Sequence, residues 1–368
     1  MVMEVLERAQ TLQKQGHDII HLEVGEPDFD LPPAVAEAAR AAYVQKQTHY
    51  THSLGDLELR EAIAAFYLRE YGVVVDPDCI VVTSGSSPAI LLALQALCNA
   101  GDEVIISNPG YPCYRNFALA CRAVARDVRV DAAHGFQYDI DELRKALSPR
   151  TRGIFVNSPM NPAGVLVEDR VYAALAELDV PILSDEIYHG LVYAGRARTV
   201  LEFTDNAFVF NGFSKRFAMT GLRLGYVIAP KRYMRALQIL QQNLFICAPS
   251  IAQRAAIAAL NGSADAAVEA MRTTYDERRR YLLARLRNMG FVIETEPQGA
   301  FYILADARRF TSDSYRFAFD VLEKAHVGIT PGVDFGSAGE GFVRFSYANS
   351  LARIGEAMDR LERYLHER

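Results

Sequence analysis

A lysine with an arginine a short distance downstream marks the first place in this sequence where chemistry is expected. Lys215 follows the apolar run 207–210 and a short turn that ends in Ser214, and Arg223 comes eight residues later. Arginine offers phosphate paired donors at fixed geometry, and serine adds a neutral donor. The spacing fits an anion held beside a reactive amine, although a single lysine is most often a solvated surface residue.

A second candidate for anion binding is the loop at 84–88, with the sequence SGSSP, which follows the apolar run 80–83. Pro88 suits the first helical position, which makes Ser87 the expected N-cap of a helix over Ala89–Cys98. The free amides around Ser86 and Ser87 would then face an anion, with the positive end of the helix dipole behind them. Alone the loop is weak evidence, because many strand-to-helix turns have similar sequences.

Two further polar groups follow apolar runs that are predicted to be strands. Asp185 and Glu186 end the run that starts at Ile182, and Tyr188 comes three residues after Asp185. Asn161 lies between two prolines, shortly after the run 153–157. Charged and polar residues at a strand end are common, so neither group is informative by itself.

Together the four groups match the needs of one cofactor. An aldehyde that carries a phosphate, a phenolic oxygen and a ring nitrogen requires a lysine, an anion site, donors for the phenolic oxygen and a buried carboxylate. The carboxylate keeps the ring nitrogen protonated, so that the ring can accept electrons from a carbanion, which is how pyridoxal phosphate works. The sequence therefore predicts a pyridoxal-phosphate site.

The elements that position these groups alternate between short apolar runs and helical stretches. Several of the runs are apolar throughout, as expected for strands that helices cover on both faces. The pattern predicts an α/β fold with a mostly parallel seven-stranded sheet and helices on both faces. The predicted strands are Ile80–Thr83, Glu103–Ser107, Asp127–Val130, Gly153–Asn157, Pro181–Ser184, Ala207–Asn211 and Gly225–Ala229.

The last hundred residues have a different pattern, with fewer strands and a long helix at about 264–289. Two predicted strands, Ala300–Leu304 and Phe342–Tyr347, are accompanied by helices, which indicates a smaller α+β domain. The N-terminal helix is expected to join that domain. We predict a large cofactor-binding domain at 37–265 and a small domain formed by 1–36 and 266–368. Ligands are expected at the carboxyl ends of the strands, between the two domains.

Composition excludes several classes of protein. The net charge of −6 argues against a nucleic-acid binder, because the basic field that such a protein needs is missing. Five scattered cysteines without a Cys-x-x-Cys pair are typical of reduced thiols in a cytoplasmic protein. The histidines show no metal-ligand spacing, and no apolar run has the length of a membrane span. We therefore expect a cytoplasmic protein without a metal or a membrane partner.

As a set, the motifs resemble the aspartate-aminotransferase-like family, the class I/II aminotransferases of fold-type I that depend on pyridoxal 5'-phosphate. The resemblance rests on the order of three motifs: Asn157-Ser-Pro-Met-Asn-Pro-Ala-Gly164, then Ser184-Asp-Glu-Ile-Tyr188, then Phe213-Ser-Lys215 with Met219-Thr-Gly-Leu-Arg-Leu-Gly225. It covers nearly the whole chain. Ala163 and Leu222 depart from the residues usual in the family, and the segment before Met3–Ala9 is shorter than the N-terminal arm that relatives carry.

The resemblance also implies roles for individual residues. Lys215 would be the Schiff-base lysine and proton shuttle, and Arg344 would clamp the substrate carboxylate, with Gly25 and Asn161 close to the substrate. Tyr50 would reach the cofactor of a neighbouring subunit, which implies a homodimer with shared active sites. The remaining cofactor contacts would be Asp185 at the ring nitrogen, Asn161 and Tyr188 at the phenolic oxygen, Tyr111 on the ring, and Ser86, Ser87, Ser214 and Arg223 at the phosphate.

The activity implied is transfer of an amino group from an L-amino acid to a 2-oxo acid, such as 2-oxoglutarate or pyruvate, with ping-pong kinetics. No motif supplies a second arginine for a side-chain carboxylate, and the segment Gln242–Ile246 is expected to favour apolar or aromatic donors. A carbon–sulfur lyase or another α,β-eliminating enzyme of the same fold would keep the same motifs and stays an alternative. A regulator that senses the cofactor is a second alternative, and a nicotinamide dehydrogenase lacks its glycine motif.

Overall fold

The structure, a computed structural model, describes residues 2–367, so Met1 and Arg368, which fall in the predicted small domain, lie outside the described residues. Its helices are α1 Val2–Lys14, α2 Pro33–Val44, α3 Leu57–Tyr71, α4 Ser86–Leu97, α5 Cys113–Ala120, α6 Ile140–Ala146, α7 Asp169–Ala176, α8 Met234–Leu244, α9 Ser250–Leu260, α10 Asp265–Met289, α11 Ser314–Ala325 and α12 Leu351–His366. Its strands are β1 Ile20–His21, β2 Ile80–Thr83, β3 Glu103–Asn108, β4 Val124–Arg129, β5 Thr151–Asn157, β6 Ile182–Asp185, β7 Ala207–Gly212, β8 Gly225–Ile228, β9 Tyr302–Asp306, β10 Val327–Gly328, β11 Thr330–Pro331 and β12 Phe342–Ser346.

Seven strands form one sheet in the order β2-β8-β7-β6-β5-β3-β4. Strand β8 runs antiparallel to both of its neighbours, and the other pairs are parallel. The prediction of a mostly parallel seven-stranded sheet is confirmed. Because β8 is reversed, it begins at the edge where the parallel strands end.

The core lies on both faces of this sheet. Along β7, Val209 packs in a cluster with α3, α7 and α9, while Phe208 and Phe210 pack in a second cluster with α4, α5 and α8. Side chains of a strand point alternately to opposite faces, so a strand covered on both faces must be apolar throughout. This is why these strands are visible as continuous apolar runs in the sequence.

The edge strand β4 differs from the prediction, which placed it at Asp127–Val130. It spans Val124–Arg129, and most of its residues are not buried. Even the apolar Val124 is half-exposed. The order of polar and apolar residues therefore does not show where this edge strand begins and ends. The strand predicted at Ala300–Leu304 is likewise shifted by two residues, to Tyr302–Asp306.

The C-terminal part contains a three-stranded antiparallel sheet in the order β11-β12-β9, with α10, α11 and α12 packed around it. Short strand β11, which was not predicted, places Thr330 opposite Arg344 of β12. Strands β1 and β10 form a separate parallel pair. Helix α1 packs against α11 through a small cluster that includes Leu12 and Leu322. Arg344 is thus fixed in the middle strand of the smaller sheet.

Within residues 2–367, no helix combines the length and apolar character that a membrane span requires. In the same range, no group of three or more His, Cys, Asp or Glu side chains is arranged to hold a metal ion.

Candidate active site

Several of the predicted site residues lie at one edge of the seven-stranded sheet. Asn157 ends β5 and is paired in register with Asp185, which ends β6. Asp185 is paired in turn with Phe210 of β7, the strand that leads to Lys215. Since β8 starts at the same edge, Arg223 also reaches it. The sheet order therefore brings together residues that are far apart in the sequence.

Lys215 is surrounded by protein and by charges of both signs. Its Nζ donates a hydrogen bond of 2.6 Å to the carbonyl oxygen of Gly25 and lies 5.8 Å from the ring centre of Phe301. Burial lowers the pKa of Lys215 to about 8, with Arg344 contributing and Glu26 opposing. A larger share of the amine is therefore uncharged near neutral pH, as a nucleophile or a base requires.

Asp185 is a buried carboxylate, only 4% exposed. Its Oδ2 accepts a hydrogen bond of 2.6 Å from the Tyr114 hydroxyl, and Oδ1 accepts one of 3.2 Å from the Ile187 amide. Burial raises the pKa of Asp185 to about 6, against the effect of these two donors. Across residues 2–367, no cationic side chain forms an ion pair with it. Such a carboxylate fits a protonated ring nitrogen, which would supply the missing countercharge.

The loop at 84–88 approaches Arg223 closely, and here one prediction is wrong. Helix α4 begins at Ser86 with Gly85 as its N-cap, so Ser87 is not the cap and Pro88 is not the first helical residue. Gly85 has a φ of 102°, which starts the helix two residues early. A Cβ on Gly85 would lie 2.7 Å from Arg223 Nη2. The amides of the first turn and the arginine therefore form a cradle that suits a phosphate.

Strand β8 also passes close to this cradle. A Cβ on Gly225 would lie 2.6 Å from the Ser86 nitrogen, so only glycine permits this approach. Arg223 Nη1 donates to the Thr220 carbonyl at 2.9 Å, which orients its guanidinium. Ser214 is half-buried beside Lys215. The two halves of the predicted phosphate site thus come from the β2–α4 loop and the β7–β8 connection.

Arg344 is buried, with an exposed fraction of 3%. Nη1 donates to Asn161 Oδ1 at 2.9 Å, and Nη2 donates to the Glu23 carbonyl at 2.7 Å and to Thr330 Oγ1 at 3.2 Å. In the described part of the chain, Nε has no partner and no carboxylate pairs with the guanidinium. A buried cation without an anion is costly, so this arrangement fits an anionic substrate group.

Asn161 connects the two sides of the site. The backbone amide of Asn161 donates to Asn157 Oδ1 at 2.6 Å, and Asn157 Nδ2 donates to the backbone carbonyl of Asp185 at 3.0 Å. The asparagine that contacts Arg344 is therefore anchored to the strand that carries Asp185. This explains why the motif at 157–164 carries two asparagines.

The predicted tyrosines have different environments. Tyr188 is buried, with its hydroxyl 3.0 Å from that of Tyr302. Tyr111 is partly buried and lies edge-on to Tyr114, with 5.2 Å between ring centres. Tyr50 is 80% exposed and is not part of the group around Lys215.

The comparisons with known proteins decide the family. A family model described as aminotransferase class I and II matches residues 17–361. The chain belongs to the class I and II aminotransferase family. Members of this family are pyridoxal-phosphate-dependent transaminases, and the chain is such an enzyme. The predictions of family, cofactor and reaction type are confirmed, and the lyase and regulator alternatives are not favoured.

Relatives of this aminotransferase match it over almost their entire length. The valine–pyruvate aminotransferase of Mycobacterium tuberculosis is 40% identical, covering 99% of this chain and 95% of the relative. The (5-formylfuran-3-yl)methyl phosphate transaminase of Methanocaldococcus jannaschii is 39% identical, covering 100% and 96%. The structure of Thermus thermophilus aspartate aminotransferase with maleate matches with a TM-score of 0.94 at 38% identity, covering 98% of this chain and 96% of that chain.

Two residues of the aminotransferase site were not predicted from sequence. Tyr114, the hydroxyl donor to Asp185, stacks on Phe155 with 4.4 Å between ring centres. Tyr114 lies in the short helix α5, three residues after the predicted Tyr111, and this proximity in sequence was the available signal. Tyr302 lies against Tyr188, 114 residues away in the chain, and no local pattern indicated that contact.

A second buried acid lies directly beside Asp185. Glu186 is fully buried, and its Oε1 accepts hydrogen bonds from the Ser184 hydroxyl, the Thr199 hydroxyl and the Val200 amide at 2.9–3.1 Å. Burial raises the pKa of Glu186 to about 8 and lowers that of neighbouring His189 to about 3. Both groups are therefore uncharged at neutral pH, which keeps a second negative charge away from Asp185.

Glu186→Gln in the aminotransferase is expected to change how stability depends on pH. An unfolded glutamate loses its proton near pH 4.5, whereas folded Glu186 keeps it until about pH 8. Between these values the folded state binds one more proton, so the free energy of unfolding of the native protein falls as pH rises. The stability of Glu186→Gln relative to native protein should increase from pH 5 to pH 8 in urea titrations.

Glu277→Gln, on an exposed part of α10, is the matched control and should differ from native protein by the same amount at every pH. A stability difference for Glu186→Gln that also stays constant from pH 5 to pH 8 would contradict a protonated Glu186.

Proposed function

We propose that this aminotransferase transfers an amino group from an L-amino acid to a 2-oxo acid, with Lys215 as the residue that carries the cofactor and moves the proton. The observation that carries the proposal is the arrangement of three charged side chains. Lys215 has a lowered pKa, and Asp185 and Arg344 are buried without an ion-pair partner in residues 2–367. A cofactor with a ring nitrogen and a substrate with a carboxylate would provide the two missing counterions.

The residues around the cofactor would divide its recognition among them. Bound pyridoxal phosphate supplies an electron-accepting ring. Asp185 would hold the proton on the ring nitrogen, and Tyr188 and Asn161 would donate to the phenolic oxygen. Tyr111 would cover one face of the ring. The phosphate would be held by Ser86, Ser87, Ser214 and Arg223.

With the cofactor bound, Lys215 would act as the base of the reaction. Its lowered pKa leaves a free amine that can accept the α-proton of the substrate. The hydrogen bond from Nζ to the Gly25 carbonyl holds the amine at the backbone of a residue that would lie close to the substrate. Because the first product would leave before the second substrate binds to the same residues, the kinetics would be ping-pong.

Arg344 would bind the α-carboxylate of the substrate, close to Gly25 and Asn161. The other buried arginines in the described residues, Arg60, Arg278 and Arg279, each form an ion pair with an aspartate. No second free buried cation is therefore available within residues 2–367 for a side-chain carboxylate. This supports apolar or aromatic amino acids as preferred donors over strict aspartate specificity.

A panel of amino donors tests this proposal. Apolar, aromatic and acidic L-amino acids would be assayed against 2-oxoglutarate and pyruvate, with each half-reaction followed through the near-visible absorption of the cofactor. We expect the highest kcat/KM with apolar or aromatic donors. A clear preference for aspartate would overturn the proposed donor class, and a lack of transamination with every donor would overturn the function.

Arg344→Lys is expected to raise KM for every amino donor. Lysine cannot reproduce the paired donors of a guanidinium. Loss of a charge-assisted hydrogen bond to the substrate should raise KM roughly 10- to 100-fold. Steady-state kinetics would measure KM, while the near-visible absorption should stay that of the native holoenzyme. Arg280→Lys, at an exposed position on α10, serves as the control. An unchanged KM in Arg344→Lys would remove this residue from substrate binding.

Exposed apolar side chains support a homodimer with shared active sites. Tyr43, Val44, Leu244 and Ile246 are exposed apolar side chains like Tyr50, and such residues are common in subunit interfaces. Sedimentation should give twice the chain mass of 40.9 kDa, and a monomer would refute the dimer. Five unpaired cysteines support a cytoplasmic location, which fractionation of the source cells would check.

The chain would also divide into a large domain at 37–265 and a small domain formed by 1–36 and 266–368. The seven-stranded sheet lies within the first range. In the second, β1 pairs with β10 and α1 packs on α11, which links the N-terminal segment to the C-terminal part. Hydrogen exchange should show two protection classes with these boundaries, and a single class would argue against the division.

A further inference from the structure

Tyr302 touches three of the residues that the proposed function places around the substrate. It is buried in β9, and its hydroxyl lies 3.0 Å from the hydroxyl of Tyr188. The guanidinium carbon of Arg344 lies 4.2 Å from the centre of its ring. A Cβ on Gly25 would lie 2.2 Å from its hydroxyl oxygen, so the hydroxyl fills the space that a side chain would need.

We propose that Tyr302 is a positioning residue of this aminotransferase. Its hydroxyl donates a hydrogen bond to the Tyr188 hydroxyl, so that the proton of Tyr188 points to the phenolic oxygen of bound pyridoxal phosphate. Its ring holds the guanidinium of Arg344 in position for the substrate carboxylate. The inference rests on the proposed function, because Tyr188 and Arg344 have these tasks only there.

The hydrogen-bond direction follows from counting protons. Each tyrosine hydroxyl has one proton to donate and can accept from other donors. If Tyr188 gives its proton to the cofactor oxygen, the bond between the two hydroxyls requires Tyr302 as donor. A hydroxyl that accepts a hydrogen bond becomes a better donor itself, since hydrogen bonds in a chain polarise one another. Tyr302 would therefore strengthen the contact of Tyr188 with the cofactor.

The ring of Tyr302 lies against the guanidinium of Arg344, whose charge is not neutralised by any carboxylate within residues 2–367. Its Nη atoms donate to Asn161, Glu23 and Thr330, all through neutral oxygens. An aromatic face attracts a cation without neutralising it. The ring of Tyr302 can thus fix the guanidinium and leave its full charge for a substrate carboxylate, which a carboxylate side chain at the same place could not do.

The hydroxyl of Tyr302 has little freedom to move. The backbone of Gly25 lies on one side and the Tyr188 hydroxyl is within hydrogen-bonding distance. The same Gly25 accepts the hydrogen bond from Lys215 through its carbonyl. A shift of Tyr302 would therefore disturb both the tyrosine pair and the backbone that contacts the reactive amine.

Four variants of the holoenzyme test the two parts of the inference separately: Tyr302→Phe, Tyr302→Leu, Tyr188→Phe and the double variant Tyr188→Phe/Tyr302→Phe. The first readout is the pH midpoint of the near-visible absorption of the bound cofactor. A donor stabilises the deprotonated phenolic oxygen, so its loss raises the midpoint. We expect Tyr302→Phe to raise it by about half a pH unit, Tyr188→Phe to raise it more, and the double variant to match Tyr188→Phe.

The second readout is KM for the amino donor. Tyr302→Phe keeps the ring and should leave KM within about twofold. Tyr302→Leu should raise KM about tenfold, because Arg344 loses the nearer aromatic face and is left with that of Phe335, whose ring centre lies 5.0 Å from the guanidinium carbon. Tyr347→Phe is the matched control: Tyr347 is a fully buried tyrosine of the same core cluster whose hydroxyl donates to the Ala300 carbonyl. It should change neither the midpoint nor KM.

Each outcome separates this inference from the proposed function. An unshifted midpoint in Tyr302→Phe, together with a raised one in Tyr188→Phe, overturns the role of the hydroxyl and leaves the function intact. Additive shifts in the double variant overturn the coupling of the two tyrosines. Equal KM values in Tyr302→Phe and Tyr302→Leu overturn the role of the ring. Absence of the near-visible absorption in native protein would instead refute the proposed function.

Discussion

Lys215→Ala is expected to abolish transamination, with a fall in kcat of about 10⁴-fold or more. The substitution removes both the amine that carries the cofactor and the base that moves the α-proton, and proton transfer alone contributes roughly 10²- to 10⁴-fold. Alanine also breaks the hydrogen bond to the Gly25 carbonyl without introducing a new charge. The rate of a single half-reaction with a saturating amino donor would measure the loss.

Lys231→Ala provides the matched control, because the Lys231 side chain is 82% exposed, whereas Lys215 is surrounded by protein. It should keep native rates and the native absorption. Lys215→Ala should also lack the absorption of a cofactor that is covalently linked to the protein, even when pyridoxal phosphate is supplied in excess. Retention of more than about one-hundredth of the native rate would show that another residue moves the proton.

The fold was largely predictable from the sequence because its strands are buried on both faces. Strands β2, β6 and β7 are buried at every position, and the apolar runs located them to within a residue. Edge strand β4 was misplaced because its residues are mostly solvent-accessible. The hydrophobic pattern reports burial, so it gives little signal for a strand whose residues are mostly exposed.

The start of α4 shows a second limit. Pro88 and Ser87 have the residue types of a first helical position and a cap, yet the helix begins at Ser86 because Gly85 adopts a positive φ. The sequence shows that glycine permits such a conformation, and only the packing of Arg223 and Gly225 against the loop shows that it is used. Tertiary contacts therefore determine where α4 begins.

The site shows the same division between local and non-local information. The strand-end positions of Asp185 and Lys215 follow from local patterns, and their roles stay predictions until variants are measured. The contacts of Tyr302 and Tyr114 depend on which distant elements meet, since Tyr302 and Tyr188 are 114 residues apart. Buried tyrosines are most often core residues, so their residue type gave no indication of a task.

Asp185→Asn is expected to lower kcat by about 10³-fold with little loss of folded protein. The amide has the shape of the carboxyl group and its oxygen can still accept the hydrogen bond from Tyr114. Asparagine lacks the buried negative charge, and removal of one partner of a buried ion pair destabilises the arrangement by about 3–5 kcal/mol. The ring nitrogen would then no longer stay protonated, and the ring would be a poor electron acceptor. Single-turnover kinetics would measure the decrease, and thermal unfolding would check the fold.

Tyr114→Phe separates the charge of Asp185 from its hydrogen bond. The Tyr114 hydroxyl lowers the pKa of Asp185, which burial raises to about 6, so its removal should move that pKa further towards neutrality. In the protein without cofactor the carboxylate is then protonated over more of the range below pH 7. The affinity of Tyr114→Phe for pyridoxal phosphate, relative to that of native protein, should therefore fall as pH decreases from 8 to 6. Asp185→Asn has no such group to titrate, so its deficit in affinity should be similar at both values. A deficit in Tyr114→Phe that is constant from pH 8 to pH 6 would mean that the hydroxyl acts by packing, and that the charge at Asp185 is set by burial alone.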